Sequence, residues 1–355
     1  MTIRTAIFGA SFAKAAYLPA LRLVPDVEVV AIASNRLESA QAVAAEFGIP
    51  AAYMDWRELL EKHPVDLVCV VTPTVYHAPM TLAALDAGAH IICEKPMAMN
   101  ENEAHAMLDA AQAKGRVHLI GHELRFNPNR RKVKQLIDSG AIGSVRHINI
   151  VNISAAWGDP ASRAKGDWWS DAAMGGGRLG ANGSHQFDLL RFWLGDVGAV
   201  SGQVATMVPD RTDKTTGETW TATADDQVSW IAEMKSGAIA SVFLSGVARH
   251  GVGNTTAIYG SEGMIRLNDS DEILHVARAG EDFENVSEHD PNAGKPGVGR
   301  GIWNISFAGL VAEATAAIRE GRQPHEGATF NDGLQTQRAM DAVRRSWAAR
   351  EWIIL

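Results

Sequence analysis

The chain has 355 residues, of which 46% are hydrophobic and 21% are charged, and its formal net charge at pH 7 is −8. This length exceeds what one hydrophobic core usually supports, so we expect two domains. The acidic balance argues against nucleic acid and anionic membrane surfaces as partners, because both select for an excess of lysine and arginine.

The first 122 residues alternate between short apolar runs and helical patterns. The apolar runs are rich in Val, Ile and Ala, as is typical of buried parallel strands. They lie at Ile3–Phe8, Val27–Ala33, Asp66–Val71, His90–Cys93 and Val117–Ile120. The helical patterns between them lie at Ala13–Leu23, Leu37–Phe47, Met80–Ala87 and Glu101–Ala113, and the predicted helix ends carry Gly48, Gly88 and Gly115. This alternation predicts an α/β Rossmann domain over residues 1–122, with a parallel sheet and helices on both faces.

After Pro128 the pattern changes to one helix near Arg130–Ser139, followed by alternating segments typical of antiparallel strands. These segments lie at Val145–Ile153, Val197–Val208, Gln227–Met234, Ala238–Ser245 and Thr255–Tyr259. Residues 123–355 are therefore predicted to form an α+β domain.

Two long loops that contain glycine, Trp157–Gly177 and Glu288–Gly301, each precede a helical pattern. Long ordered loops are often functional. For the second loop, a surface excursion is an equally good interpretation.

The cysteines and the N-terminus indicate a cytoplasmic protein. Cys69 and Cys93 each lie in an apolar run, which favours a reducing compartment over a disulfide framework or a cysteine-rich metal site. The first apolar stretch ends at Gly9, too soon for a secretion signal, and no apolar run is long enough to cross a membrane.

Ligands of open parallel sheets bind beyond the carboxyl ends of the strands. The first such loop, Gly9-Ala10-Ser11-Phe12-Ala13-Lys14, keeps only the first glycine of a dinucleotide fingerprint. Gly9 suits the tight turn, the following helix can offer backbone amides to a pyrophosphate, and the Ser11 hydroxyl can donate to phosphate. We therefore predict that Gly9, Ser11 and Phe12 bind the cofactor. The alternative is an ordinary β–α turn.

The loop after the second strand, Ser34-Asn35-Arg36, indicates which dinucleotide binds. NAD-selective domains usually carry an acid here, and none occurs before Glu38. Small polar residues with an arginine suit a ribose 2′-phosphate, which favours NADP(H) over NAD(H). The alternative is that Arg36 simply begins the next helix in solvent.

The loops after the third and fourth strands complete the predicted cofactor edge. Thr72, Pro73 and His77 follow the third strand, and Glu94, Lys95 and Pro96 follow the fourth. A solvated lysine has little reason to lie between a buried strand and a proline. Lys95 is thus the stronger candidate for a residue of the reaction centre, and the alternative is that Glu94 and Lys95 form an ion pair at the surface.

In the second domain, five glycines within nine residues precede His185. Glycine at this density permits a close backbone approach. A helix that begins near Gly183 and ends at Gly195 would place His185 and Asp188 on one face in its first turns. A lone histidine at such a place is more often structural than catalytic.

Together these motifs resemble the glucose–fructose oxidoreductase, inositol dehydrogenase and MocA family (Gfo/Idh/MocA) over nearly the whole chain. The matching residues are Gly9, Pro19-Ala20-Leu21, Thr72-Pro73, His77, Ala87-Gly88, Glu94-Lys95-Pro96, Arg125-Phe126, Pro128, Gly175-Gly176-Gly177, Gly183, His185 and Asp188.

The resemblance implies a Rossmann domain and a second domain built on a large, mostly antiparallel sheet through which a homodimer or homotetramer packs. It implies hydride transfer between nicotinamide and a sugar or cyclitol, and no metal is expected. The lysine that matches Lys95 touches the nicotinamide ribose and the substrate hydroxyl, and the histidine that matches His185 is the general acid or base.

The chain departs from the family pattern at three places. The aspartate usual four residues before the histidine is Ala181, the histidine common in the first helix is Tyr17, and the glycine loop is incomplete. Without that aspartate, proton transfer must use Lys95 with His185 alone, or recruit Asn182, Tyr76 or a residue from another loop. Asn182 can orient a group but cannot carry the proton.

Further substrate contacts are predicted around these residues. Trp157, Trp168 and Trp169 suit the apolar faces of a sugar, with core filling or a subunit contact as the alternative. Arg125 is a candidate for binding a substrate hydroxyl or carboxylate, with a structural acid as its alternative partner.

Two other functions stay open. One is redox-neutral glycoside processing, in which the retained cofactor oxidises and re-reduces one substrate around an elimination or hydrolysis. The other is a non-catalytic dinucleotide sensor, against which Lys95 and His185 argue.

Overall fold

The computed structural model describes residues 2–251, 253–268, 272–295, 298 and 302–355, with only the backbone described at 302–304. The chain divides into two compact units. The first comprises Met1–Asn127 and Asp290–Leu334, and the second comprises Pro128–His289 and Gln335–Leu355. The assignment of every residue after 122 to a second domain therefore needs a correction, because residues 290–334 pack with the first unit.

The first unit contains a six-stranded parallel sheet, in agreement with the predicted Rossmann domain. Its strands are β1 (Ile3–Phe8), β2 (Val27–Ala33), β3 (Ala51–Tyr53), β4 (Leu67–Val70), β5 (His90–Cys93) and β6 (His118–Ile120). They are arranged in the order β3-β2-β1-β4-β5-β6. Strand order reverses beside β1, so the carboxyl ends of β1 and β4 flank the place where such sheets bind ligands.

The helices between these strands differ in three places from the prediction, one of which is α3 (Trp56–Lys62), a helix that was not predicted. The segment predicted as the helix Ala13–Leu23 is a π-helix, Ala13–Tyr17, followed by α1 (Leu18–Leu21). The helix expected from Met80 already begins at His77. The remaining helices are α2 (Leu37–Phe47), α3 (Trp56–Lys62), α4 (His77–Asp86) and α5 (Glu101–Ala113). Gly48, Gly88 and Gly115 follow helices with positive φ, as predicted.

The strands of this sheet bury side chains on both faces. Ile7, Cys69 and Ile92 join one apolar cluster, whereas Phe8 and Cys93 join another on the opposite face. Alternate residues of a strand point to opposite faces, so continuous apolar runs are needed here. This double burial explains why the strands were recognisable in the sequence.

The second unit is built on a nine-stranded sheet in the order β16-β15-β14-β13-β7-β12-β11-β8-β17. Neighbouring strands are antiparallel except for β7 and β12, which agrees with the expected mostly antiparallel sheet. Its strands are β7 (Val145–Ile153), β8 (Val197–Ala205), β11 (Gln227–Met234), β12 (Ile239–Ser245), β13 (Gly253–Gly260), β14 (Gly263–Asn268), β15 (Ile273–Arg278), β16 (Glu284–Asn285) and β17 (Ile353–Ile354), while β9 (Asp210–Thr212) and β10 (Thr219–Thr221) form a separate pair.

Helices α6 (Pro128–Asp138) and α7 (Ser184–Leu194) belong to this unit. Burial alternates along the strands, with Trp230 and Ala232 of β11 buried and Ile231 between them exposed. The Trp230 ring stacks on Phe187 of α7 at a centroid distance of 4.4 Å. One face of the sheet is thus covered by helices of its own unit.

Two long helices, α8 (Ile302–Glu320) and α9 (Phe330–Ala349), follow. Phe307, Leu310 and Val311 of α8 join the apolar cluster of β1, and Phe330 at the start of α9 joins the cluster on the other face. These apolar contacts are why residues 290–334 complete the first unit. Across the described part of the chain, no helix combines the length and apolarity needed to span a membrane.

The second predicted loop, Glu288–Gly301, lies partly outside the described residues, which omit 296–297 and 299–301.

Candidate active site

Gly9 ends β1 with a backbone that only glycine tolerates well. Its φ is +104°, and a Cβ there would lie 1.9 Å from the carbonyl oxygen of Val71. Its amide donates to Ala33 O at 2.8 Å, so the turn is held against the ends of both neighbouring strands. Ser11 and Phe12 are exposed just beyond it, where a helix has amides without intrahelical partners.

Lys14 occupies the place of the last fingerprint glycine. Its side chain is half exposed and forms an ion pair with Glu46 of α2 at 2.6 Å. The substitution is accommodated because this side chain points toward the α2 surface. The loop can therefore still present amides to a pyrophosphate.

Ser34, Asn35 and Arg36 follow β2 at the same edge of the sheet. Asn35 and Arg36 are exposed, and Arg36 is the N-cap residue of α2 without a side-chain capping bond. Among the described residues, Arg36 forms no ion pair. Its guanidinium is therefore available to an added anion.

His77 connects the loops that follow β4 and β5. Its Nδ1 lies 2.9 Å from Pro96 O and its Nε2 lies 2.8 Å from Thr72 O, with the residue 1% exposed. We predicted that His77 binds the cofactor directly. The structure instead places its ring between two backbone carbonyls, where it fixes the Thr72–Pro73 loop relative to the turn that carries Lys95.

Glu94 and Lys95 form a buried pair, which rules out the alternative of a surface pair. Their side chains are 6% and 11% exposed, and Lys95 Nζ lies 4.0 Å from Glu94 Oε2. The Lys95 amide also donates to Glu94 Oε2 at 3.2 Å. The predicted cofactor contact of Glu94 is thus replaced by contacts within the protein.

The other carboxylate oxygen of Glu94 accepts a hydrogen bond from the Tyr17 hydroxyl at 2.8 Å. Burial raises the pKa of Glu94, and both the Lys95 charge and the Tyr17 hydrogen bond oppose that rise. Burial also raises the pKa of Tyr17 well above its usual value, so this hydroxyl keeps its proton and donates.

Gly121 follows β6 and leaves space for this pair. A Cβ at Gly121 would lie 2.6 Å from Glu94 Oε1 and 2.9 Å from the Tyr17 hydroxyl. Sequence reasoning missed this glycine because nothing local marks it. Its role depends on side chains contributed by β5 and by the first helical segment.

Arg125 has a structural acid as partner. Its Nη2 donates to Asp332 Oδ1 at 3.2 Å, and Asp332 Oδ2 accepts from the amide and the hydroxyl of Thr329. Thr329 and Asp332 thus form a capping arrangement at the start of α9. The alternative of a structural acid therefore describes Arg125, in place of the predicted substrate contact.

His185 lies deeper in its helix than predicted. A π-helical segment, Leu179–Gly183, precedes α7, so the helical backbone begins before Gly183. His185 and Asp188 are each 1% exposed, three residues apart, as expected for one buried face. Asn182 lies in the π-helical segment and is partly exposed. π-Helical turns occur often at functional sites.

Two glycines before this helix pack closely against other parts of the protein, Gly176 against backbone and Gly177 against the Asp225 carboxylate. A Cβ at Gly176 would lie 2.4 Å from Trp168 O and 2.5 Å from Trp169 O, and one at Gly177 would lie 2.4 Å from Asp225 Oδ1. The density of glycine in this stretch is therefore explained by the fold of the loop itself.

The tryptophans of this loop pack against other side chains of the protein. Trp157 is 6% exposed, with the guanidinium of Arg163 at 4.6 Å and that of Arg178 at 5.8 Å from its ring centroid. Trp168 stacks on Trp169 at 4.0 Å and is partly exposed. Core filling thus describes Trp157, and Trp168 stays partly exposed.

Asp225 was missed by sequence reasoning. Its carboxylate accepts from the Leu179 amide at 2.7 Å at the start of the π-helical segment, and burial raises its pKa. Arg178 donates to Asn152 Oδ1 at 2.7 Å, and burial lowers its pKa to about 10. Two consecutive acids directly before β11 were the available signal, because such charges rarely precede a buried strand without a partner.

The first unit fits a dinucleotide, because the Gly9 turn, the helix start at Ser11 and Phe12 and the exposed Arg36 lie at one edge of the sheet. Across the described ranges, no cluster of three or more His, Cys, Asp or Glu side chains has the arrangement of a metal site. Lys95 belongs to the first unit and His185 to the second.

Residues 3–122 match the family profile described as an oxidoreductase family with an NAD-binding Rossmann fold, and residues 130–266 match the GFO/IDH/MocA C-terminal domain. Levoglucosan dehydrogenase of Pseudarthrobacter phenanthrenivorans is 30% identical over 348 residues, which cover 91% of this chain and 88% of the relative. Inositol 2-dehydrogenase of Rhizobium meliloti is 26% identical over 354 residues, which cover 99% of each chain. The solved structure of levoglucosan dehydrogenase with NADH and L-sorbose has 27% identity and a TM-score of 0.90, covering 100% of this chain and 99% of that one.

Proposed function

We propose that this chain, which belongs to the Gfo/Idh/MocA oxidoreductase family, transfers a hydride between nicotinamide and a hydroxyl-bearing carbon of a sugar, cyclitol or related polyhydroxy compound. The observation that carries the proposal is the buried Glu94–Lys95 pair at the carboxyl end of β5. A lysine held in this way at the cofactor edge of a Rossmann sheet is suited to proton transfer beside the nicotinamide ring of a bound dinucleotide.

The bound dinucleotide would supply the hydride acceptor or donor. Removing a hydride from a carbinol carbon also requires that the hydroxyl proton be taken up. We propose that the Lys95 amine takes up this proton. His185 is the second titratable candidate, and Ala181 leaves it without a carboxylate four residues earlier, so more of the proton transfer falls to Lys95.

Substrate contacts are proposed for Lys95, His185, Asn182 and the partly exposed ring of Trp168. A sugar presents apolar C–H faces and hydroxyl groups, which suit a tryptophan ring and an amide respectively. The relatives named above act on levoglucosan and inositol according to their names, which supports a polyhydroxy substrate for this chain.

The test is a screen of sugars, cyclitols and glycosides with NAD and with NADP, following nicotinamide absorbance and product mass in parallel. A dehydrogenase changes the absorbance with at least one polyol, and Lys95→Ala abolishes that change while the protein stays folded. Lys114→Ala is the control, because Lys114 lies at the end of α5 in an ion pair with Asp86. Unchanged turnover by Lys95→Ala would contradict the assignment.

Redox-neutral glycoside processing is the second candidate, favoured by Ala181 in the place of the family aspartate. Product mass distinguishes it, because a converted glycoside without net reduced nicotinamide supports it over the dehydrogenase. Dinucleotide binding without conversion of any compound would instead support a sensor.

We propose NADP(H) as the favoured cofactor, from the exposed Arg36 and the absence of an acid at residues 34–36. A charge-assisted hydrogen bond to a 2′-phosphate contributes about 1.5–3 kcal/mol, so Arg36→Ala should weaken NADP(H) binding roughly 10- to 150-fold and leave NAD(H) binding unchanged. Arg57→Ala, at an exposed arginine of α3 that lies over Trp56, is the control. Equal loss of both cofactors would refute the preference.

A homodimer or homotetramer is proposed, packed through the outer face of the nine-stranded sheet. Ile231, Ile239 and Phe243 of β11 and β12 are 46%, 40% and 37% exposed on it. Exposed apolar side chains on neighbouring strands are typical of subunit contacts. Light scattering should give a multiple of the chain mass that falls in Ile231→Glu.

A further inference from the structure

Tyr17, Glu94 and Lys95 form a buried chain of contacts that begins in the first helical segment and ends at the amine. Tyr17 donates to Glu94 Oε1 at 2.8 Å, and Glu94 Oε2 lies 4.0 Å from Lys95 Nζ. The hydroxyl thus occupies one carboxylate oxygen and leaves the other directed to the lysine. The Tyr17 hydroxyl therefore holds the Glu94 carboxylate through Oε1, while Lys95 lies beside Oε2.

The surroundings of this chain of contacts hold it in one arrangement. The Tyr17 ring lies 4.8 Å from the Phe307 ring, centroid to centroid, and is fully buried. Gly121 has no side chain that could displace the Tyr17 hydroxyl or Glu94 Oε1. A π-helical segment that ends at Tyr17 places this side chain.

We infer that Tyr17 is a positioning residue that keeps the Glu94 carboxylate ionised and directed at Lys95, so that a negative charge stands beside the amine. The inference rests on the proposed role of Lys95 in proton transfer. A buried carboxylate needs donors to stay charged, and Tyr17 supplies a donor that is neutral and does not compete with the lysine.

Other titratable groups near this pair are the thiols of Cys93 on β5 and Cys69 on β4, whose pKa values are raised by burial, and the His77 imidazole, whose pKa is lowered by burial. These three groups are therefore uncharged near neutral pH. Glu94, which Tyr17 holds, places a negative charge beside the amine. Removing the hydroxyl favours the neutral carboxyl, and the ammonium form of Lys95 then loses its counter-charge.

The primary test is Tyr17→Phe in the full chain, which keeps the ring packing against Phe307. In the oxidation direction the base acts unprotonated, so activity falls at low pH. Loss of the counter-charge should move that acidic limb of the kcat profile to lower pH, because a neighbouring negative charge favours the protonated amine. A merely structural role would lower kcat at every pH without moving the limb, and an unmoved limb overturns the inference.

Glu94→Gln is the second variant, and it should move the limb in the same direction. In the Glu94→Gln background, Tyr17→Phe should add no further shift, because the hydroxyl then has no charge to stabilise. A further shift, or an unmoved limb in Glu94→Gln itself, contradicts the inference even if Tyr17→Phe does not fold. Tyr53→Phe is the matched control, since its hydroxyl lies 2.8 Å from His63 Nε2.

A readout without substrate separates this inference from the proposed function. Trace acetylation of Lys95 as a function of pH, read by peptide mass spectrometry, reports when the amine loses its proton. The labelling midpoint should move to lower pH in Tyr17→Phe and stay in place in Tyr53→Phe. Absence of turnover with any polyol would refute the proposed function, and an unmoved labelling midpoint would refute the role of Tyr17.

Discussion

Folding of the first unit should depend on pH through His118, and the size of the effect follows from its environment. His118 is 6% exposed in the folded protein, and its Nδ1 accepts a hydrogen bond from the Phe330 amide at 3.1 Å. Burial lowers the pKa of His118 to about 4 in the folded protein. The unfolded chain has a histidine pKa of about 6.5.

The sign follows from which state binds more protons. Between the two pKa values the unfolded state is the more protonated, so the stabilising contribution is complete above about pH 6.5 and is lost as the pH falls toward 4. At pH 5 the loss from His118 alone is about 2 kcal/mol relative to pH 7.5, from the difference in proton binding.

His118→Asn keeps an acceptor near the position of Nδ1 and removes the titration. We expect the variant to lose about 2 kcal/mol less stability than the wild type between pH 7.5 and pH 5. Urea-dependent hydrogen exchange of peptides from β6 measures this within the first unit. His105→Asn, at an exposed histidine of α5, should keep the wild-type slope. An equal pH slope in His118→Asn and the wild type would refute the reasoning.

Three further predictions concern Gly176 in the loop before α7, Asp225 at the start of the π-helical segment, and Arg125. Gly176→Ala should displace the loop and lower thermal stability more than Gly166→Ala, because only the former Cβ meets backbone, at 2.4 Å from Trp168 O, as melting curves will show. Asp225→Asn should destabilise the start of the π-helical segment by about 1–2 kcal/mol, measured by urea unfolding, because a neutral amide accepts more weakly from the Leu179 amide. Arg125→Gln should lower the melting temperature while changing the substrate KM less than twofold, and a KM raised tenfold at unchanged stability would restore a substrate contact.

The sheet of the first unit was predictable because its central strands are buried on both faces. Continuous apolar runs such as Leu67–Val70 follow directly from that burial. β3 was missed because Ala51–Tyr53 is only three residues long and half-buried, so it has no apolar run. Its pairing with β2 comes from the sheet and not from its own sequence.

The candidate site was predictable where function depends on a strand end and unpredictable where it depends on a distant partner. Gly9 and Lys95 lie directly after strands, so their place at the sheet edge followed from the pattern. The partner of Arg125 is 207 residues away in the chain. The pairing of Tyr17 with Glu94 depends on a π-helical turn of five residues. Such turns are rare and occur as single-turn bulges within helices, so the helical pattern of the sequence did not indicate one.

The contribution of residues 290–334 to the first unit affects how the chain folds during synthesis. Once the first 127 residues have left the ribosome, all six strands are outside it, yet the apolar surface that Phe307 and Leu310 cover is still exposed. Domains of growing chains generally fold from the N-terminus onward. Here the dinucleotide-binding unit reaches its full core only after residues 128–289 of the second unit have emerged, so the nascent protein carries an apolar surface that a chaperone can bind throughout that interval.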